Sequence, residues 1–172
     1  MNLSGDSTWV LSSGDGGTFP LFVRDALGIS TPTADSIPRL TPAVPPVTGV
    51  LVPPEFTPDW DRWWRDSTQN GWGREPIGIT VGLREAYTRW SGPIRDRRAP
   101  ATAFSTVLYE VVSELEQDLG HRPIFTLDVL QIPVEGQFWR RLSRDKVLVS
   151  EELMGSRNVL APLESVIRDL AR

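Results

Sequence analysis

Residues 53–64 read PPEFTPDWDRWW, and the chain changes character within this stretch. Before it the sequence is rich in proline, since eight of the fifteen prolines lie between Pro32 and Pro58. After it the sequence is rich in tryptophan, since five of the seven tryptophans lie between Trp60 and Trp90. Proline lacks an amide donor and fixes its own φ angle, whereas buried indoles supply large apolar contact areas. The sequence therefore predicts an extended arm that leads into a packed domain.

The packed domain is predicted to begin with a helix at this junction. Thr57 offers a hydroxyl N-cap, Pro58 suits the first helical position, and the acidic Asp59 suits the positive end of the helix dipole. The helix is predicted to end near Thr68, before an Asn-Gly pair. It places three tryptophans on one face, at positions i, i+3 and i+4: Trp60, Trp63 and Trp64.

Three further segments have the apolar spacing of helices, and three others are typical of strands. Helices are predicted from 81 or 83 to 90, where Ser-Gly-Pro stops the pattern, over 101–119, and over 157–171. Pro162 falls in the first turn of the last helix, where proline is tolerated. A strand is predicted over 124–132, and the segments 138–139 and 146–149 are predicted as strands or short helices separated by a turn near residue 145.

The start of the chain is predicted to form a hairpin. Two short apolar runs, 8–12 and 18–23, flank the sequence Ser-Gly-Asp-Gly-Gly at 13–17, which is a strong turn signal. Pro20 would place the second run at a sheet edge. A glycine-rich loop can also hold phosphate, but no helix with a suitably spaced Lys, Ser or Thr is predicted to follow, so the turn is favoured.

The element order predicts an α+β fold: a small mixed sheet packed against three to four helices, preceded by an N-terminal hairpin and a Pro-rich extended arm. No βαβ alternation is sustained, which disfavours a doubly wound sheet. The expected organisation is a hairpin segment at 1–29, an arm or linker at 30–56, and a helix-rich domain at 57–172, all within one globular unit.

Composition narrows the class of function. The net charge of −4 disfavours a nucleic-acid binder or an anionic membrane surface as partner. The absence of cysteine excludes disulfides and thiolate metal sites, and no targeting or membrane-spanning pattern is found in the sequence, so a cytoplasmic location is expected. Every basic residue except Lys146 is arginine, which is typical of a GC-rich bacterial genome.

Tryptophan and arginine clusters are the candidate binding features. The tryptophans between 60 and 90 are interleaved with carboxylates, as in a sugar-binding cleft, but they also suit a helix anchored in a core or an interaction surface. The Arg-Asp-Arg-Arg run at 95–98 could bind carboxylates or phosphate, or its charges could simply be exposed to solvent on a loop. The residues predicted to contact a partner are Trp63, Trp72, Arg95, Arg97 and Arg98.

No catalytic residue, metal site or cofactor is predicted. His121 is the only histidine, and its place just after a helix favours interaction with the helix carbonyls over proton transfer. Glu151 and Glu152 are adjacent and follow a predicted strand, which favours a role in capping the next turn.

The leading hypothesis is a non-enzymatic bacterial protein-interaction module, such as an immunity or antitoxin-like protein or an assembly subunit, which docks a protein partner. A homo-oligomer fits the same pattern. The alternative is a small-ligand or carbohydrate-binding protein, or an enzyme, that uses the tryptophan and aspartate cluster at 59–90. Nucleic-acid binding through the arginine runs ranks third because the chain is acidic.

Overall fold

A computed structural model of the chain describes residues 2–5, 9–15, 17–48, 56–69, 81–97 and 102–171. Its contacts divide the chain into two compact units. Unit 1 comprises Met1–Gly16, Pro100–Ile132 and Gly136–Arg172, and unit 2 comprises Gly17–Ala99 and Pro133–Glu135. The sequence-based boundaries near 29 and 56 stay predictions.

The described helices and strands form an α+β fold, as the sequence predicts. The strands are β1 (Asn2–Gly5), β2 (Trp9–Asp15), β3 (Phe125–Ile132), β4 (Trp139–Ser143) and β5 (Lys146–Ser150). The helices are α1 (Thr18–Leu27), α2 (Pro32–Asp35), α3 (Phe56–Gln69), α4 (Val81–Arg97), α5 (Thr102–Leu119), α6 (Glu151–Met154) and α7 (Leu160–Leu170), with a 3₁₀ turn at Arg157–Val159.

Unit 1 contains a mixed sheet with the strand order β1-β2-β3-β5-β4. β2, β3 and β5 are parallel to one another, while β1 and β4 pair antiparallel with their neighbours at the two edges. Side chains alternate across a strand, so one face of the three central strands collects the apolar residues. These pack against the apolar stripes of α5 and α7 in one core, which includes Trp9, Leu11, Phe125, Leu127, Val129, Val147, Val149, Phe104, Leu108, Val111, Leu115, Leu163 and Ile167.

Unit 2 is built around the tryptophan face of α3. Trp60, Trp63 and Trp64 are all buried, which confirms that their spacing marks the face that packs inward. Trp60 also donates its indole N–H to the carbonyl of Pro20 on α1, at 3.0 Å. Burial of indoles at i, i+3 and i+4 therefore joins α3 to α1.

The predicted hairpin is wrong in its second strand. β2 pairs with β1, and the run at 18–23 lies in helix α1. The helix is possible because Pro20 is its third residue, where no amide donor is needed. Phe22, Val23 and Ala26 then follow helical spacing, and all three are buried. A six-residue window around Pro20 was too short to show that period.

The predicted end of the second helix at residue 90 is also wrong. α4 continues to Arg97, through Ser91, Gly92 and Pro93. Ser91 is buried and Ile94 is half-buried, so both sides of the proline face protein. Packing of this kind overrides the local preference of Gly and Pro. The other predicted helices and strands are confirmed, and their ends shift by a few residues. α3 begins at Phe56, so Thr57 lies inside the helix and is not its N-cap.

Gly17 and Gly28, at the two ends of α1, offer a matched test of this packing. Both have φ 64°, where any side chain is strained, and a Cβ would meet Thr68 Cγ2 at 2.9 Å at Gly17 but nothing within 4 Å at Gly28. We expect Gly28→Ala to lower the free energy of unfolding by about 1–2 kcal/mol, from strain alone. Gly17→Ala should cost about 1–3 kcal/mol more, because Thr68 is buried and must move. Equal losses in urea unfolding would contradict this account.

Candidate functional site

A buried arginine organises the proline-rich segment of unit 2, defined here as residues 30–48. Arg24 on α1 is fully buried. Its Nε and Nη2 donate to the two carboxylate oxygens of Asp25, at 2.6 and 3.1 Å. The remaining guanidinium hydrogens are donated to three backbone carbonyls of the segment: Ala34 (2.9 Å), Ile37 (2.7 Å) and Pro38 (2.9 Å). All five donors of the guanidinium are thus used. We call this set of residues the Arg24 network.

Asp25 receives two further hydrogen bonds from the same segment. Arg39 Nη1 donates to Oδ1 at 2.9 Å, and the backbone N–H of Leu40 donates to Oδ2 at 2.8 Å. Burial raises the pKa of Asp25, but the hydrogen bonds from Arg24, Leu40 and Arg39 outweigh burial and hold that pKa below its ordinary value. The carboxylate therefore stays ionised inside unit 2.

The proline-rich segment packs on its own unit as a result. Ala34, Ile37 and Leu40 are buried. Further along, Val47 donates its N–H to the carbonyl of Ala26 at 3.0 Å, and the Trp90 indole donates to the carbonyl of Pro42 at 3.1 Å. These contacts hold residues 30–48 against α1 and α4 of their own unit.

Together with α1 and α4, this segment forms a cleft of about 600 Å³. Its walls are lined by Phe22 from α1, by Pro45, Pro46, Val47 and Thr48 from the segment, and by Gly82, Ala86, Arg89 and Trp90 from α4. Phe22 is buried, Trp90 is half-buried and Arg89 is exposed. The cleft is thus apolar at its base, and among the described residues that line it Arg89 supplies the cation.

Aromatic contacts support the base of the cleft. The ring of Phe22 lies 5.4 Å from that of Tyr87 and 5.5 Å from that of Trp90, centroid to centroid. Tyr87 and Trp90 are 6.2 Å apart. Rings at these distances hold one another in place, so the base of the cleft is preformed.

The wall formed by the proline-rich segment has few backbone donors. Pro45 and Pro46 have no N–H, and the N–H of Val47 is already donated to Ala26. A bound chain could not pair with this wall as an added strand, which requires free backbone donors. Recognition here would rest on side chains.

The predicted partner-contact residues fall in different places. Trp63 is 5% exposed and packs against Phe19 and Phe56, at 5.8 and 5.9 Å between ring centroids. The side chains of Trp72, Arg95, Arg97 and Arg98 lie outside the described residues, so this assignment stays a prediction. Because the three α3 indoles are buried, they present no face to a sugar ring. Trp90 is the described member of the tryptophan cluster that lines the cleft.

Sequence reasoning missed most of the cleft. Phe22 was assigned to a strand, and residues 45–48 were expected only as an arm. Two signals were present: helical spacing across 19–26, and the aromatic pair Tyr87 and Trp90 at i and i+3. The sequence contains no pattern that shows these three segments to be close together in space.

A polar row crosses the sheet of unit 1. Ser12 Oγ donates to Asp128 Oδ1, and Lys146 Nζ lies 4.0 Å from Asp128 Oδ2. The three residues are direct neighbours on β2, β3 and β5. Both carboxylate oxygens are engaged, which is typical of a cross-strand pair that stabilises a sheet.

The remaining candidate residues from the sequence analysis lie on the surface or in the cap of a helix. His121 is exposed, and its Nδ1 lies 3.1 Å from the carbonyl oxygen of Arg122. Glu151 and Glu152 occupy the first turn of α6, which Ser150 caps through the N–H of Leu153 at 3.2 Å. Within the described ranges, no three His, Asp or Glu side chains are grouped to hold a metal ion.

Comparisons of the chain with known protein families, with curated proteins and with solved structures gave no match. None of the helices in the described part of the chain combines the length and apolarity needed to cross a bilayer. The case for function therefore rests on the geometry of the chain itself.

Removal of the buried guanidinium should release the proline-rich segment. Arg24→Met removes two of the four hydrogen bonds to the Asp25 carboxylate and takes one donor from each of three backbone carbonyls. We therefore expect the free energy of unfolding to fall by about 3–5 kcal/mol. The matched control is Arg39→Met, because Arg39 bonds the same carboxylate but is 49% exposed; its cost should stay within about 1 kcal/mol. Urea unfolding followed by tryptophan fluorescence measures both, and similar losses would refute the central role of Arg24.

Acid should remove the contribution of Asp25. The folded pKa is depressed, so the stabilisation is fully present above the pKa of an unfolded Asp, about 3.9, and is lost as pH falls through the lower folded value. We expect the stability difference between wild type and Asp25→Asn to stay constant from about pH 7 to 5 and to shrink below about pH 4. Asp35→Asn, an exposed carboxylate on the same segment, is the control and should change stability little at pH 7. A difference that grows in acid would contradict the assignment.

Proposed function

We propose that the chain is a non-enzymatic protein-interaction module that holds a segment of a protein partner in the cleft of unit 2. The observation that carries this proposal is the cleft itself: a preformed aromatic base, with Arg89 as the cation on its lining. Tryptophan and arginine supply a large share of the binding energy in protein interfaces. Roles as a bacterial immunity or antitoxin-like protein, or as an assembly subunit, and a cytoplasmic location remain part of the proposal.

The lining defines the chemistry of the partner segment. An apolar side chain fits against Phe22 and Trp90, where it would displace water from aromatic surface. A carboxylate fits next to Arg89, whose guanidinium can bind both of its oxygens. Since Pro45 and Pro46 offer no N–H, the backbone of the segment contributes little. The preferred partner therefore carries an apolar residue close to an acidic one.

A small ligand is the second candidate, and the size of the cleft favours it. A volume of about 600 Å³ lies within the range of about 300–1,000 Å³ that small-molecule sites occupy. The described indole available for stacking is then Trp90, in place of the buried tryptophans of α3. Such a ligand would carry a flat apolar group and an anionic group.

A peptide selection on the full chain distinguishes these candidates. We expect peptides with an apolar residue next to Asp or Glu to be enriched. Ala86→Trp, which fills the cleft, should weaken their binding at least about tenfold, a loss of about 1.4 kcal/mol. Arg89→Glu should weaken binding by a similar factor, because it sets like charges against each other. Affinity is measured by fluorescence anisotropy of a labelled peptide.

Arg62→Glu is the matched control, since Arg62 is an exposed arginine of the same unit on α3, outside the cleft. It should leave peptide affinity unchanged. If no peptide is enriched, or if Ala86→Trp binds as well as wild type, the cleft is not the partner site. A small aromatic anion that quenches Trp90 fluorescence under the same conditions would then support the second candidate.

A further inference from the structure

The start of α1 has hydrogen-bond donors that its own helix cannot satisfy. The first helical amides, those of Thr18 and Phe19, have no acceptor within the helix, and Pro20 has no N–H. Gly17, the N-cap residue, provides no side-chain cap, and the first turn contains no acidic residue. The usual ways of neutralising the positive end of a helix are therefore missing here.

Two buried polar side chains of unit 2 have no hydrogen-bond partner among the residues that the structure describes. They are the hydroxyl of Thr18 and the indole N–H of Trp64. Thr18 is 7% exposed and Trp64 is 3% exposed. The indole nitrogen lies 3.6 Å from the position that a Cβ of Gly17 would occupy, directly beside the helix start. An unsatisfied buried polar group costs about 1–3 kcal/mol, so a hydrogen-bond acceptor that reached either group would stabilise unit 2.

The chemistry of this group of donors selects the ligand. Two amides and an indole can only donate, and a hydroxyl can donate as well. A water molecule has two lone pairs and cannot accept four hydrogen bonds, whereas a tetrahedral oxyanion has enough acceptors for all four. The helix dipole also favours a negative charge at this position. Gly17 and Phe19 are half-exposed, whereas the Thr18 hydroxyl and the Trp64 indole nitrogen are buried. A ligand that meets all four donors must therefore displace the side chains that cover these two atoms.

We infer that the start of α1 binds the phosphate group of a small ligand through the amides of Thr18 and Phe19, the Thr18 hydroxyl and the Trp64 indole. A Cβ at Gly17 would lie 2.9 Å from Thr68 Cγ2 and in ordinary contact, at 3.6 Å, with the indole nitrogen of Trp64. From the sequence, a phosphate loop at 13–17 was disfavoured because no helix with a suitably spaced Lys, Ser or Thr was predicted to follow. The structure places a helix, α1, directly after Gly17, with Thr18 as its first residue. None of Gly17, Thr18 and Trp64 lines the cleft, so this site is independent of the proposed function.

The Trp64 indole proton is a direct reporter of the site. We expect inorganic phosphate, titrated into ¹⁵N-labelled full-length protein at constant ionic strength, to shift the Trp64 indole N–H resonance in a saturable way. The spectrum of Trp64→Phe assigns the resonance. The indole of Trp90 serves as an internal control, because it already donates to Pro42 and should not move.

Two variants distinguish a specific phosphate site from a general effect of salt on the protein. Thr18→Val keeps the shape of the side chain but removes the hydroxyl, and should weaken phosphate binding about tenfold. Thr88→Val is the matched control, because its hydroxyl already donates to the carbonyl of Arg84 at 3.0 Å; its phosphate affinity should equal that of wild type. A Trp64 resonance that ignores phosphate, or that moves equally with chloride, overturns the inference. Equal phosphate affinity in Thr18→Val and wild type also overturns it.

Discussion

The saturated guanidinium of Arg24 is the interaction on which unit 2 depends. The carbonyls of Ala34, Ile37 and Pro38 lie at or beyond the end of the four-residue helix α2, so regular structure supplies them few donors. Arg24 supplies donors to all three carbonyls from inside the fold. A buried ion pair adds little net stability compared with an apolar core. Loss of one partner is nevertheless strongly destabilising, because the other charge stays buried without a counter-charge. The network thus fixes where the segment lies rather than adding to stability in general.

Helix α1 links this network to both candidate sites. Its first turn carries the donors near Trp64, its middle carries Phe22 at the base of the cleft, and the Arg24 network follows immediately. The proline-rich segment held by that network then supplies the opposite wall of the cleft. Most of this ten-residue helix therefore packs against other parts of unit 2, and seven of its side chains are buried.

Elements with a long local sequence pattern were predicted correctly, whereas elements with a short or interrupted pattern were not. The α3 tryptophans and the long apolar stripe of α5 repeat over several turns, and β3 has eight residues of strand character, so each was found from sequence. α1 was missed because Pro20 sits in a short apolar run, and the end of α4 was missed because packing around Pro93 overrides local preference. The role of Arg24 could not be predicted. Its partners are mainly backbone carbonyls, which look the same in every sequence.

The pairing of β2 with β3 has a consequence for how the chain folds. Ser12 and Asp128, direct neighbours in the sheet, are separated by 116 residues. During synthesis β1 and β2 leave the ribosome first. β3 follows only after nearly all of unit 2 has been made. Closing so large a loop is entropically unfavourable and slow compared with local helix packing. Trp9 and Leu11, which are buried in the finished sheet, therefore remain exposed during synthesis, so this is the interval in which the nascent chain is most open to aggregation or chaperone binding.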